Sequence, residues 1–482
     1  MKKLPSIQKL ESWIDSYLNF EKTPKKNIFW LDTMRFFCEK FGHPENFAPC
    51  FHVAGSKGKG SVSTFIASIL DEAGFKTGLY TSPHILDFIE RVSSPNGPFE
   101  EEAYDRAVQE IMDGVQSISQ EELPGQRPIT WFELVTLFSF LVFRQAKVDY
   151  SVFEVGLGGR LDSTNIVNPK VSVITPIELE HTEFLGDTLE KIAFEKGGII
   201  KENTPVVIAR QQPNVRKVFE KIASEKHATA IFIEDTIENL DFKIKNITEC
   251  IKNNTILTNG NSDFHKNCIK KYTSLENQNI LPLMSVSFSS KIFSRPVKTT
   301  LQLLGKFQAE NAALAAIAVK TVLPTISEEV IERGLAKAKL PARFEILDPP
   351  LIVLDGAHTV NSVTFTMETM NQVFAPFSHR ILLFACAADK DAKDIAPLFK
   401  NQFDEIFLTK PGNVKQSDLG KLGEAFEQAG LSYDLNEDFK LQIQKAIKKA
   451  REEEALLLVT GSFYLVAEVK KILADVNSRN PF

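Results

Sequence analysis

A glycine-rich turn between a short apolar run and a helix-like pattern is the feature that most constrains this chain. It reads Phe51-His-Val-Ala-Gly-Ser-Lys-Gly-Lys-Gly-Ser-Val62. Phe51–Ala54 predicts a strand, and a helix is predicted after the turn because apolar side chains recur at helical spacing, at Val62, Phe65, Ile66, Ile69 and Ala73. Backbone N–H groups at the start of such a helix point at anions, and the helix dipole adds about half a positive charge. The stretch therefore predicts a phosphate-binding loop.

Two side chains of this turn favour nucleotide binding over a simple connection between a strand and a helix. Lys59 can bring a full positive charge to the β- and γ-phosphates, and the Ser61 hydroxyl can reach a magnesium ion. A tight connection that only needs glycines is the alternative, and it has no use for either side chain. We therefore interpret the turn as a nucleotide-binding site made of Gly55, Ser56, Lys57, Gly58, Lys59, Gly60 and Ser61.

The composition is that of an ordinary globular protein, with 43% hydrophobic and 24% charged residues in 482. The net charge of −6 gives no indication of a nucleic-acid partner. Five cysteines without a CxxC pair and an N-terminus without a signal-peptide core predict a cytoplasmic protein with reduced thiols. The longest apolar run, Leu134–Phe143, is shorter than the roughly 20 residues of a membrane span. It predicts a buried helix and no membrane partner.

Short apolar runs alternate with helical patterns along the chain, which predicts parallel α/β architecture. The predicted strands fall into an early and a late set: Phe51–Ala54, Thr77–Tyr80, Asp149–Val155, Val171–Thr175 and Pro205–Ala209, then Leu351–Leu354, Arg380–Ala385, Glu405–Leu408 and Ala455–Val459. Proline interrupts local structure in the stretch between the sets, so we predict domains over 1–338 and 344–482 with a linker over 339–343.

One segment departs from this alternation. Residues 237–279 are rich in Asn and Lys and carry few long apolar runs, so they predict an irregular insertion. After the insertion, Met284–Phe288 and Thr299–Leu304 predict strands of a small antiparallel element.

Polar residues follow several predicted strands, at the edge where parallel sheets bind ligands. Ser82 follows the second strand in Tyr80-Thr-Ser-Pro-His84, Glu154 ends the third, and His181 follows the fourth. Lys196 lies near the end of a helix that begins at Thr188 and stops at Gly197. Taken singly, each has an ordinary structural explanation: a turn cap, a core histidine, or a favourable charge at a helix C-terminus. From these residues alone, the structural explanations stay open beside a role in a catalytic site.

The spacing of the loop separates it from the common P-loop. Only two residues lie between Gly55 and Gly58, and Gly60 stands between Lys59 and Ser61. This shorter form resembles the ATP loop of the Mur ligase superfamily, and most closely that of the folylpolyglutamate synthase/dihydrofolate synthase family, which usually reads Thr-Asn-Gly-Lys-Gly-Ser. Lys57 departs from that pattern, because the family has asparagine there.

Further blocks extend the resemblance over most of the chain, in the family's order. They are YTSPH at 80–84, EVGLGGRLDSTN at 154–165, EKGGIIK at 195–201, LGKFQAENA at 304–312, PARFE at 341–345, LDGAH at 354–358 and VTGSFY at 459–464. The resemblance implies a P-loop-type parallel-sheet ATPase domain and a smaller Rossmann-like α/β C-terminal domain that acts as the glutamate ligase.

The resemblance also implies roles for individual residues around ATP. Ser82, Glu154 and His181 would ligate two Mg²⁺ ions, with a monovalent cation as a further cofactor. Lys196 would be the catalytic lysine that CO₂ converts to a carbamate, beside catalytic Lys59. The nucleotide would contact Asn311, Arg343 and Asp355, with Arg343 reaching a phosphate from the second domain.

For the other substrates the resemblance implies two further sets. The pteroate pocket would be lined by Thr130, Trp131, Phe132, Glu133 and Leu161, although core packing explains each of these side chains nearly as well. Glutamate would contact His358, a catalytic residue, and Ser462. Thr359-Val360 follows this histidine where the family commonly has Asn-Pro, so the geometry of the glutamate site departs from the pattern.

The implied reaction is ATP-dependent amide-bond formation through an acyl phosphate, in a monomeric enzyme. Its substrates would be ATP, L-glutamate and dihydropteroate or a reduced folate, with the first glutamate, later glutamates or both as products. Two alternatives stay open: another Mur-superfamily ligase that acts on peptidoglycan precursors, and a non-catalytic nucleotide-binding homologue.

Overall fold

The structure of the chain is a computed structural model that describes residues 4–19, 30–245, 282–347, 350–375 and 377–479. The described residues form two compact units. The first comes from Met1–Asp241, Val286–Thr299 and Phe307–Lys339, and the second from Phe242–Ser285, Thr300–Lys306 and Leu340–Phe482. The last change of unit falls between Lys339 and Leu340, within the stretch where the sequence predicts a linker.

A seven-stranded sheet carries the first unit. Its strands are β1 (Cys50–Ala54), β2 (Thr77–Tyr80), β3 (Val92–Ser93), β4 (Tyr150–Glu154), β5 (Val171–Ile174), β6 (Val206–Ile208) and β7 (Ala230–Phe232), in the order β3-β2-β4-β1-β5-β6-β7. All neighbours are parallel except β2 and β3. Strands β1 and β5 are buried along their whole length, as expected for strands covered on both faces. The predicted parallel α/β class is confirmed.

Helices of the first unit follow these strands or cover their faces. They are α1 (Pro5–Ile14), α2 (Asp32–Lys40), α3 (Lys59–Glu72), α4 (Glu101–Gln116), α5 (Trp131–Ala146), α6 (Thr182–Leu185), α7 (Leu189–Gly197), α8 (Pro213–Glu225), α9 (Ile233–Thr236), α10 (Lys306–Val322) and α11 (Glu328–Lys337). The apolar run Leu134–Phe143 lies in α5 and is buried throughout, which confirms the predicted buried helix. No helix among the described residues combines the length and apolar character needed to cross a bilayer.

The prediction of an irregular insertion over residues 237–279 is wrong for the first residues of that segment. Ile237–Ile244 forms a strand, β8, in a three-stranded sheet with β9 (Met284–Ser290) and β10 (Val297–Leu301). The strand was hidden because Asn, Asp and Lys dominate the composition, whereas Leu240, Phe242 and Ile244 alternate with polar residues at the period of a strand. Residues 246–279 of the predicted insertion lie outside the described residues. The strands predicted near Met284 and Thr299 are confirmed.

The second unit contains a six-stranded sheet. Its strands are β11 (Glu345–Leu347), β12 (Ile352–Leu354), β13 (Arg380–Phe384), β14 (Glu405–Leu408), β15 (Asp434–Leu435) and β16 (Leu456–Thr460), in the order β11-β12-β16-β13-β14-β15. Only the β11–β12 pair is antiparallel. The accompanying helices are α12 (Val360–Val373), α13 (Ala392–Ile395), α14 (Leu419–Gln428), α15 (Phe439–Glu452) and α16 (Phe463–Arg479). β16 returns between β12 and β13, so side chains at their carboxyl ends share one edge.

Candidate active site

The glycine-rich turn connects β1 to α3 as the sequence predicts. Gly58 is the residue before the helix, with φ of 89°, and Lys59 is its first residue. Gly55 has φ of 143°, and a Cβ there would lie 1.8 Å from the Thr175 hydroxyl oxygen. A Cβ on Gly58 would lie 2.7 Å from Oδ1 of Asn311. Both positions therefore require glycine, for backbone conformation and for space.

The first half of the turn is anchored to the segment after β5. Backbone N–H groups of Ser56 and Lys57 donate to the Pro176 carbonyl at 3.0 and 3.4 Å. The Ser56 hydroxyl donates to the Glu178 carbonyl at 3.1 Å. N–H groups at the start of α3 are the ones that have no acceptor within the helix, and these are the groups that can bind an anion.

Two residues of α10 contact the second half of the turn. Nε2 of Gln308 donates to the Ser61 hydroxyl at 3.2 Å, and Nδ2 of Asn311 donates to Gln308 Oε1 at 3.1 Å. Both side chains are buried. Sequence reasoning selected Asn311 but missed Gln308, although it lies in the same block one helical turn earlier. Gln308 fixes the hydroxyl that the prediction assigns to magnesium.

Lys59 and Lys196 meet at one carbonyl oxygen. The ammonium of Lys59 donates to the Gly55 carbonyl at 2.8 Å, and the ammonium of Lys196 donates to the same atom at 2.8 Å. Lys196 comes from α7, which begins after the N-cap Thr188 as predicted. Only 2% of its side chain is exposed. The structure thus brings the two predicted catalytic lysines together beneath the phosphate loop.

Glu180 is the counter-ion of this lysine pair, and sequence reasoning did not select it. Its carboxylate accepts a hydrogen bond from Lys196 at 2.9 Å and lies 3.7 Å from the ammonium of Lys57. Burial alone would raise the pKa of Glu180, but Lys196, Lys59 and Lys57 outweigh it and hold the pKa at about 2. Burial and the nearby Lys59 lower the pKa of Lys196 to about 8, although Glu180 opposes the shift. The sequence signal that could have selected Glu180 was its position directly before His181.

The predicted metal ligands lie at the carboxyl ends of neighbouring strands. Glu154 ends β4 and is buried, and its Oε2 accepts a hydrogen bond from the Ser82 backbone N–H at 3.1 Å. His181 is exposed and has a left-handed backbone with φ of 47° immediately before α6. The described contacts therefore join Ser82 to Glu154 directly, while His181 is linked to the lysines through its neighbour Glu180.

The predicted pteroate residues form two groups. Thr130, Trp131 and Glu133 make structural contacts at the start of α5, whereas Phe132 and Leu161 are half-buried. Thr130 and Glu133 form a capping box at the start of α5, in which each side chain binds the other's backbone N–H. Burial raises the pKa of Glu133, although its hydrogen bonds to Thr130 oppose the shift. Trp131 is buried, with the Arg91 guanidinium 4.8 Å from its ring centre.

Phe132 and Leu161 remain half-buried, unlike Trp131 and Glu133. The Phe132 ring packs so close to Gly156, two residues after Glu154, that a Cβ there would lie 2.4 Å from it. Phe132 therefore packs against the segment that directly follows the candidate metal ligand Glu154.

The second unit gathers its predicted residues around β12, β16 and the ring of Phe463. The Arg343 guanidinium lies 4.3 Å from the Phe463 ring centre, and the His358 ring lies edge-on to it at 5.9 Å. Asp355 is buried and accepts backbone N–H groups of Phe344 and Ala357. Burial raises the pKa of Asp355, and Arg343 opposes this.

Two smaller features complete this group of side chains. Nδ1 of His358 lies 2.8 Å from the Gly356 carbonyl, and the Ser462 hydroxyl accepts the N–H of Tyr464. Thr359, which departs from the family pattern, is the N-cap of α12 and forms a capping box with Ser362. The threonine hydroxyl therefore satisfies the helix terminus, as the asparagine of the family pattern could also do.

Family models match both units of the chain. The Mur ligase middle domain matches residues 53–319, and the Mur ligase glutamate ligase domain matches residues 342–463. Together with the phosphate loop and the lysine pair, these matches define an ATP-dependent ligase of the Mur type.

Individual relatives give the family within this class. The chain is 33% identical to the dihydrofolate synthase/folylpolyglutamate synthase of Bacillus subtilis, over 97% of this chain and 99% of the relative. It is similar in structure to a Mycobacterium tuberculosis folylpolyglutamate synthase complexed with ADP and AMPPCP, with a TM-score of 0.76, 25% identity, and coverage of 97% and 98%. The Escherichia coli FolC complex with DHPP and ADP gives a TM-score of 0.75, 26% identity and the same coverage. The chain belongs to the folylpolyglutamate synthase/dihydrofolate synthase family, as predicted.

Proposed function

We propose that this enzyme uses ATP to join L-glutamate to dihydropteroate, to folate polyglutamates, or to both. The observation that carries the proposal is the convergence of Lys59 and Lys196 on the Gly55 carbonyl of a phosphate-binding loop. A loop that only binds a nucleotide needs one lysine at the phosphates. A second, buried lysine with a lowered pKa is suited to chemistry. The ADP and DHPP bound by the E. coli relative support ATP and a pteroate as substrates.

In the proposed reaction a substrate carboxylate attacks the γ-phosphorus of ATP and displaces ADP, which gives an acyl phosphate. The amino group of glutamate then attacks the acyl carbon, loses a proton, and displaces inorganic phosphate. Lys59 leaves the Gly55 carbonyl to neutralise charge on the transferred phosphoryl group. We assign Asn311, Arg343 and Asp355 to ATP as well, with Arg343 as a further positive charge for a phosphate.

Magnesium suits the side chains at the carboxyl ends of β2 and β4. Glu154 offers a carboxylate and Ser82 a hydroxyl, both oxygen ligands that Mg²⁺ prefers, and we assign His181 as the third ligand. Bound Mg²⁺ ions would offset the charge of the phosphates. Two ions and a further monovalent cation are our proposal from the family pattern.

We assign Lys196 as the lysine that becomes a carbamate. A pKa of about 8 leaves a usable fraction of neutral amine near physiological pH, and only the neutral amine reacts with CO₂. Its position within 2.8 Å of the Gly55 carbonyl puts the modified group at the base of the phosphate loop.

The remaining substrates are assigned to two groups of residues. For the pteroate we propose stacking on Phe132 with Leu161 beside it, while Thr130, Trp131 and Glu133 shape the start of α5. For glutamate we propose His358 and Ser462, at the carboxyl ends of β12 and β16. We further propose a monomer in the cytoplasm, where the free and buried Cys38, Cys50 and Cys386 would stay reduced.

One assay tests the proposal against its alternatives. Phosphate release that depends on both ATP and glutamate is measured with dihydropteroate, with tetrahydrofolate and with a UDP-MurNAc peptide precursor, side by side. We expect release with at least one pteridine and none with the UDP-MurNAc precursor. Release only with the peptidoglycan precursor would replace the proposed substrate, and release with none would favour a binding protein.

A further inference from the structure

Among the described residues, Glu180 has two direct cationic neighbours whose roles differ. Lys196 donates to its carboxylate at 2.9 Å, and Lys57 lies 3.7 Å away. The Glu180 side chain is 13% exposed, so its charge needs a partner inside the protein. Lys59 also adds positive potential, but the proposed reaction moves that lysine to the nucleotide phosphates.

Carbamate formation changes the charge of one of these neighbours. The neutral amine nitrogen of Lys196 attacks the carbon of CO₂; the new N–C bond forms as one C–O π bond breaks, and the nitrogen passes a proton to water. The product is an N-carboxylate with one negative charge. Glu180 then faces an anion at the position where it had a cation, and like charges at that distance in a buried site repel strongly.

We propose that Lys57 is a positioning residue that holds Glu180 when Lys196 becomes a carbamate. This inference rests on the carbamate step of the proposed function. Lys57 takes over the Glu180 carboxylate as its remaining direct counter-ion among the described residues, so that the carbamate forms without an unpaired buried charge beside it. The family pattern has asparagine at this position, which carries no charge. In this chain the lysine at that position forms an ion pair with Glu180.

The backbone keeps Lys57 beside Glu180 independently of Lys196. Lys57 N–H donates to the Pro176 carbonyl, and the neighbouring Ser56 binds the Glu178 carbonyl through its hydroxyl. These bonds tie the phosphate loop to the segment that carries Glu180. The attachment of the Lys57 backbone to this segment therefore does not depend on the Lys196 side chain.

The test measures the carbamate itself, without turnover. Full-length protein is titrated with ¹³C-bicarbonate at pH 8, and the carbamate signal is followed by ¹³C NMR. We expect Lys57→Asn to raise the bicarbonate concentration for half occupancy about tenfold, the equivalent of one pKa unit. Lys57→Arg keeps the charge and is expected to match the wild type. Lys191→Asn removes an exposed lysine paired with Asp187 and serves as the surface control.

A double-mutant cycle separates a specific effect from a general one. In a Glu180→Gln background, Lys57→Asn is expected to change half occupancy clearly less than it does with Glu180 present, because Lys57 then acts only through its own charge near Lys196. An equal shift in both backgrounds, or no shift in Lys57→Asn alone, overturns the inference. Absence of any carbamate in the wild type overturns the inference and the carbamate step together, while the phosphate-release assay still tests the ligase reaction separately.

Discussion

The ammonium of Lys196 lies 2.9 Å from a carboxylate oxygen of Glu180, and both side chains are almost fully removed from water. The pair is part of a larger charge arrangement, because Lys196 shares the Gly55 carbonyl with Lys59 and Glu180 also contacts Lys57. One carboxylate therefore compensates more than one lysine beneath the phosphate loop. The loop is kept electropositive for a nucleotide, while the pKa of a buried amine is lowered to about 8.

The lowered pKa of Lys196 predicts how CO₂ activation depends on pH. Below about 8 the amine is mostly protonated and cannot attack CO₂, so the activation rate at fixed dissolved CO₂ should rise about tenfold per pH unit. Above about 8 the rate should level off. Enzyme depleted of CO₂ is mixed with dissolved CO₂ at each pH, and recovery of phosphate release is timed. A flat profile between pH 6 and 9 contradicts the assignment of Lys196.

Glu180→Gln should shift this profile to lower pH and weaken the fold. The carboxylate raises the pKa of Lys196, so its removal lowers that pKa further. The pKa of Glu180 itself is depressed from 4.5 to about 2. Its stabilisation is therefore complete above about 4.5 and is lost as the pH falls towards 2. We expect a cost of about 2–3 kcal/mol at pH 7 that shrinks below pH 4, measured by denaturant unfolding. An equal cost at both pH values would contradict the ion pair.

Lys59→Ala should abolish turnover while leaving the fold intact. Lys59 donates only to carbonyls of its own loop in the described contacts, at 2.8 and 3.4 Å, so its loss removes little packing. The transferred phosphoryl group would lose one of the positive charges proposed to stabilise it, and a fall of about 10³-fold in kcat/KM is expected. Phosphate release and thermal unfolding are measured together, with Lys191→Ala as the control. Unchanged activity would contradict the assignment of the loop.

The sequence was sufficient for residues that lie within a recognisable local pattern. The strand before Gly55, the helix after it, the N-cap Thr188 and the strand-end Glu154 follow from apolar periodicity and capping chemistry. These features depend on neighbours in the chain, so a single sequence contains their cause.

Glu180, Gln308 and Phe463 were missed because their roles depend on distant contacts. Glu180 is important only because Lys57 and Lys196 reach it from elsewhere in the chain. Gln308 is a buried helix residue until Ser61 is found beside it. Composition and periodicity contain no information about such pairings between distant residues. The strand β8 is a related case, because its polar composition concealed a regular strand.

Arg343→Ala should lower kcat far more than it lowers stability. The guanidinium stacks over Phe463, a contact worth about 1 kcal/mol in an exposed setting. The proposed contact with an ATP phosphate would contribute a fall of at least about 10²-fold in kcat. Phe463→Leu removes the stacking partner but keeps the charge, so it separates the two effects. Equal losses of kcat in both variants would mean that Arg343 acts only by packing.

Thr130→Ala separates a helix cap from a substrate contact. Thr130 caps α5 by accepting the N–H of Glu133 at 3.2 Å, and loss of such a cap costs about 1 kcal/mol. Ser327 caps α11 in the same way and has no assigned substrate, so Ser327→Ala is the matched control. If Thr130 also lines the pteroate pocket, KM for dihydropteroate should rise at least about fivefold in Thr130→Ala and stay constant in Ser327→Ala, at similar losses of unfolding free energy. Similar KM values in both variants would mean that Thr130 only caps the helix. The pteroate contact would then be assigned to Phe132 and Leu161.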